Sequence, residues 1–204
     1  MSATMPSKSL ALALVAAAAT LSLACDASAA ATVGEPAPGL TLTDLAGKEH
    51  DLAAYRGKVV VLEWINPECP FSERHAREKT MTGLAEGNAE IVWLAVNSTN
   101  PDSSDYLQPD EHLAYNHKYG IDYPVLYDPS GEVGRAYDAK TTPQMYIIDE
   151  EGTLLYNGAI DDDPLGREKP VERTNYVADG LGDHAQGTPV DPATTKPYGC
   201  TVKY

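Results

Sequence analysis

The stretch VVVLEWINPECPFS, residues 59–72, decides how the rest of the chain is read. Residues 59–64 are a nearly continuous apolar run rich in β-branched side chains, the pattern of a central strand buried on both faces. Glu63 is the one charged residue in that run. The loop Asn66, Pro67 and Glu68 ends the strand, Cys69 follows, and Pro70 suits the first turn of a helix expected over residues 70–84. Upstream, Leu40 to Leu42 alternates like a short strand, Gly47 marks a turn, and residues 51–55 return with apolar periodicity, which predicts an opening β-hairpin. Downstream, strands are expected at 91–96 and 124–127, and helices at 110–119 and 132–137. A hairpin of 145–148 with 154–157, a helix near 171–181 and a Pro-rich tail complete the chain. Strands that alternate with helices in this way make an α/β sheet covered on both faces.

The chain has 204 residues, enough for one domain with additions, and 43% of them are hydrophobic, which places it among globular chains. It carries 15 Lys and Arg against 30 Asp and Glu, a formal charge of -15. An acidic excess of this size repels phosphate backbones and anionic lipid surfaces, so nucleic acid is excluded as a partner. The first 29 residues read as a secretory signal: Lys8, an apolar run over 10–23, and the small residues Ala27, Ser28 and Ala29 at an A-x-A cleavage site. The mature domain then covers 33–204 and works in the periplasm or outside the cell. A second reading takes Leu21 to Cys25 as a lipid-attachment site, which makes the protein a membrane-anchored lipoprotein, and lipidation at Cys25 is the one route to a membrane. Either way two cysteines remain, Cys69 and Cys200, where disulfide chemistry is permitted.

Cys69 lies where a loop meets a helix N-terminus, and unpaired N–H groups together with the helix dipole favour a thiolate there. It is the candidate nucleophile. Glu63, six residues earlier and inside the strand, is a proton carrier if burial raises its pKa, or a plain sheet-edge carboxylate if it points outward. Cys200 is four residues from the end, and a mobile tail would bring it to Cys69, either as a redox partner or as a permanent staple.

Three segments carry a family resemblance: WINPECPFS at 64–72, TTPQMYIID at 141–149 and YGCTVKY at 198–204. Together they resemble the redoxin or peroxiredoxin-like group of secreted bacterial proteins related to alkyl hydroperoxide reductase and thiol-specific antioxidant. The resemblance covers about 33–204. It implies a thioredoxin-like fold with an N-terminal β-hairpin extension and a C-terminal Cys-containing tail. It also implies a cis proline at Pro143, facing the cysteine, with Thr142 and Pro143 as substrate contacts.

The departures are specific. Ser72 stands where a dithiol loop has its second cysteine, so a resolving thiol has to come from elsewhere. The P-x-x-x-T-x-x-C pattern of peroxiredoxins is missing, and Arg74 and Arg77 read as solvated charges rather than replacements for its cation. His75 is a conceivable imidazole partner for Cys69, or a copper ligand with Cys69 and Met81, but the paired cysteines of copper carriers are lacking and no metal or cofactor is expected. Asp161 to Asp163 reads as a solvated loop. Two functions follow. In one, an oxidoreductase attacks a peroxide or protein disulfide through Cys69, Cys200 resolves the product, and an external thiol donor restores the pair. In the other, a non-catalytic binding module is held shut by a structural Cys69–Cys200 bond.

Overall fold

The computed structural model describes Met1 and residues 30–204; the expected signal segment and Cys25 therefore lie outside the described residues. The hairpin is β1 (Thr41–Asp44) with β2 (Glu49–Asp51). There follow β3 (Val60–Trp64), α1 (Pro70–Arg77), α2 (Thr80–Gly87), β4 (Val92–Asn97), α3 (Pro109–Tyr119), β5 (Val125–Tyr127) and α4 (Glu132–Ala136). The chain ends with β6 (Thr141–Thr142), β7 (Gln144–Ile148), β8 (Leu154–Gly158), α5 (Tyr176–Ala185) and β9 (Cys200–Thr201). The main sheet runs β2-β1-β5-β4-β3-β7-β8, and β6 pairs with β9 in a separate ladder.

β3 is central, as its composition requires: it runs parallel to β4 and antiparallel to β7, and all five of its residues are buried. Period-two alternation sends Val60, Leu62 and Trp64 into one apolar cluster and Val61 into another on the opposite face. The first cluster takes in Leu40, Tyr137 and Tyr146, and the second Met81, Val177 and Leu181, so α2 and α5 cover the Val61 face.

The single helix expected over 70–84 is two. Lys79 takes a left-handed conformation, φ 56°, between α1 and α2. Its neighbours are tied elsewhere: Glu78 accepts from Arg173 Nη1 at 2.5 Å, and Thr80 Oγ1 meets His75 Nδ1 at 3.1 Å. The last helix starts later than expected because Asn175 caps it, accepting from the N–H groups of Val177 and Ala178. Asn175→Ala should cost about 1 kcal/mol in urea unfolding, with the spectrum of the native state unchanged.

Candidate active site

The end of β3 and the start of α1 place Cys69. Its N–H donates to Asn66 O at 3.0 Å and its carbonyl accepts from Glu73 N at 2.9 Å, which fixes the residue as the cap of α1. The side chain is 2% exposed and its Sγ donates to Thr142 O at 2.9 Å. The Thr142–Pro143 peptide bond is cis. Thr142, Pro143 and Cys69 thus meet, the arrangement that the family resemblance implies.

Cys200 completes the group. β6 and β9 are antiparallel, with Thr142 opposite Cys200 and Thr141 opposite Thr201, and both cysteines are free thiols. Burial works against the Cys69 thiolate, but hydrogen bonds from the Cys200 thiol, the Ser72 N–H and the Thr142 hydroxyl outweigh it and hold the Cys69 pKa below its ordinary value. Cys200 moves the other way, to about 11, through burial and its place beside the Cys69 sulfur. The two thiols are thus shifted in opposite senses, Cys69 down and Cys200 up.

The tail that carries Cys200 is docked rather than mobile. Val202 N donates to Lys140 O at 3.1 Å, Asn100 N to Lys203 O at 2.6 Å, and Tyr204 Oη to Ala139 O at 2.7 Å. On its upstream side, Tyr198 Oη donates to Asp161 and accepts from Arg74 Nη2 at 3.0 Å. Three expectations are corrected here. Arg74 is buried, bonded to Asp163 O at 2.9 Å and 3.7 Å from Asp161, because α1 packs on the 161–173 segment. Asp161 and Asp163 are buried as well, since Arg173 reaches both of them, at 3.5 and 3.3 Å. His75 is no partner for Cys69. Its Nε2 accepts from Arg74 at 2.8 Å, which leaves the proton on Nδ1 for Thr80. Burial and the Arg74 charge lower its pKa to about 3, so the ring is neutral.

Glu63 is buried, which decides between the two readings of its position. It shares the Val61 face, accepts from Tyr123 Oη at 2.9 Å, and borders a cavity of about 10 Å³ lined also by His75, Thr82 and Tyr123. Burial lifts its pKa to about 7 even though the Tyr123 hydrogen bond acts in the opposite sense. Tyr123 and Tyr198 were not legible as site residues. The nearest signal for Tyr198 is its place two residues before Cys200. Among the described residues, no group of three or more His, Cys, Asp or Glu side chains is arranged to hold a metal ion.

A buried strand delivering a cysteine to a helix N-terminus, opposite a cis proline, defines a thioredoxin-like thiol protein. A model of the AhpC/TSA family matches residues 33–157, and the chain belongs to that family. The thiol-disulfide oxidoreductase ResA of Geobacillus kaustophilus is 32% identical over 125 residues, 61% of this chain and 68% of that protein. A Mycobacterium tuberculosis protein named for the peroxiredoxins is 28% identical over 153 residues, 72% of this chain and 90% of its own. In three dimensions, an uncharacterized conserved protein from Geobacillus kaustophilus superimposes with a TM-score of 0.77 at 28% identity, covering 85% of this chain and 92% of that one. Family membership makes this chain a thiol-based redox enzyme.

Proposed function

We propose that the mature chain is an extracytoplasmic oxidoreductase in which Cys69 is the nucleophile and Cys200 the resolving thiol. The observation that carries the reading is the β6–β9 register, which sets Cys200 opposite Thr142, the residue whose carbonyl holds the Cys69 thiol. The Cys69 thiolate attacks a peroxide oxygen or a disulfide sulfur, giving a sulfenic acid with loss of water or an alcohol, or a mixed disulfide with loss of a thiolate. Cys200 then attacks the Cys69 sulfur, expels water or the second thiolate, and closes a Cys69–Cys200 bond. An external thiol donor opens that bond at Cys200, the more exposed sulfur, because Cys69 is the better leaving group. Glu63, titrating near neutrality, takes up and returns protons during the exchange, and Thr142 and Pro143 border the reacting sulfurs. Export rests on the signal pattern of residues 1–29, with attachment to a membrane only if Cys25 is lipidated.

Cys200→Ser tests the assignment. The variant should stop after the first half-reaction and accumulate the Cys69 sulfenic acid or mixed disulfide, visible by intact mass and by dimedone labelling. Continued turnover at the wild-type rate would show that Cys200 has no part in resolution.

A further inference from the structure

We propose that the docked tail, residues 198–204, is a specificity-determining element that closes Cys69 to polypeptide disulfides while leaving it open to small oxidants. The inference rests on Cys69 being the nucleophile and adds a limit on what it attacks. For exchange with a polypeptide, a substrate sulfur has to approach Cys69 Sγ while the substrate chain runs along the neighbouring backbone. The backbone edge beside Cys69 is Thr142, and the protein's own β9 already pairs with it. The approach is close at Gly199, where a Cβ would lie 2.1 Å from Thr142 O and 3.1 Å from Pro143 N. Cys200 therefore stands where a substrate cysteine would stand, and Cys69 keeps only 2% of its surface exposed.

The occupant is anchored on both sides of the sulfur. Upstream, the Tyr198 hydroxyl is held by Asp161 and Arg74, with Phe71 packed at 6.1 Å between ring centroids. Downstream, Val202 is buried in the same apolar cluster as Trp64 and Tyr137, and the Arg135 guanidinium lies 4.6 Å from the Tyr204 ring centroid. A polypeptide has to displace all of these contacts before its sulfur reaches Cys69. A hydroperoxide needs room for two oxygen atoms beside Cys200. In that step the thiolate takes the distal oxygen, the O–O bond breaks, and the alkoxide or hydroxide leaves with a proton; the oxidised sulfur then forms its bond with Cys200 and water departs.

The test measures the first half-reaction in a Cys200→Ser background. Cys69 consumption is followed with hydrogen peroxide and, separately, with a ten-residue peptide dimer joined by a disulfide. The full chain is compared with Tyr204→Ala alone and with Val202→Pro combined with Tyr204→Ala, forms that release the tail anchors and keep residue 200, each checked for folding by thermal unfolding. Release of the tail should speed the peptide disulfide by about tenfold or more and leave the peroxide rate within about twofold. Equal acceleration of both oxidants, or a peptide rate unchanged in every tail variant that folds, would overturn the proposal. Failure of either oxidant to consume Cys69 in any form would overturn the reading of Cys69 as nucleophile, and the proposal with it.

Discussion

Cys69→Ser should reduce oxidant turnover to the uncatalysed rate while the protein keeps its fold. The chemical reason is the ionisation of the sulfur. A thiol held below its ordinary pKa by the Cys200 thiol, the Ser72 N–H and the Thr142 hydroxyl supplies more of the attacking anion than an unperturbed cysteine, and a serine hydroxyl in the same place supplies none. The structural reason is that Cys69 is positioned by its backbone. Its N–H and carbonyl bonds to Asn66 and Glu73 survive the change, and a serine hydroxyl can still donate to Thr142 O. Stability should therefore move by no more than about 1 kcal/mol in urea unfolding. Loss of turnover together with loss of folding would assign Cys69 a packing role instead. Retained turnover would move the chemistry to Cys200.

Glu63→Gln should change the pH dependence of stability in a defined window. The folded-state pKa of about 7 stands above the ordinary 4.5. Below 4.5 the carboxyl is neutral in both states and contributes nothing unfavourable. As pH rises, the unfolded chain ionises first, so native stability falls through the window between 4.5 and 7 and levels off above it. At about 1.4 kcal/mol per pH unit, the wild type should lose about 3 kcal/mol relative to Glu63→Gln on going from below 4.5 to above 7. Urea midpoints of the two proteins across this range would read the difference directly, and parallel profiles would refute the buried titration. The same substitution should remove an inflection near pH 7 from the rate of thiol exchange if Glu63 carries the proton.

The central part of the fold was legible because its signals are local. A β-branched run between Gly57 and Pro67 reads as a buried strand and Pro70 as a helix start, whereas the place of Thr142 and Pro143 opposite the cysteine is what the family resemblance implies. The errors concern interactions between distant residues. Arg74 and Asp161 each look solvated in their own segments; they are buried because α1 and the 161–173 segment supply one another's counter-charges. No Gly or Pro marks the break at Lys79, which follows from what Glu78 and Thr80 bind elsewhere. The tail was read as mobile because the sequence contains no sign that Val202 and Tyr204 have receptors on the α4–β6 segment. The abundance of tyrosine, twelve residues against one phenylalanine, also acquires a physical account. Tyr137, Tyr146 and Tyr156 bury their rings and donate to the backbone carbonyls of Pro38, Tyr137 and Ala159, a task phenylalanine cannot perform.

The central claim is that Cys69 and Cys200 form one redox pair, and the most direct measurement is non-reducing peptide mapping of the purified mature protein before and after one equivalent of hydrogen peroxide. The two free thiols should be lost together, with one new Cys69–Cys200 crosslink that a mild dithiol reverses. Oxidation that consumes Cys69 and leaves Cys200 free, or a Cys69–Cys200 bond that resists all but strong reductants, would contradict it.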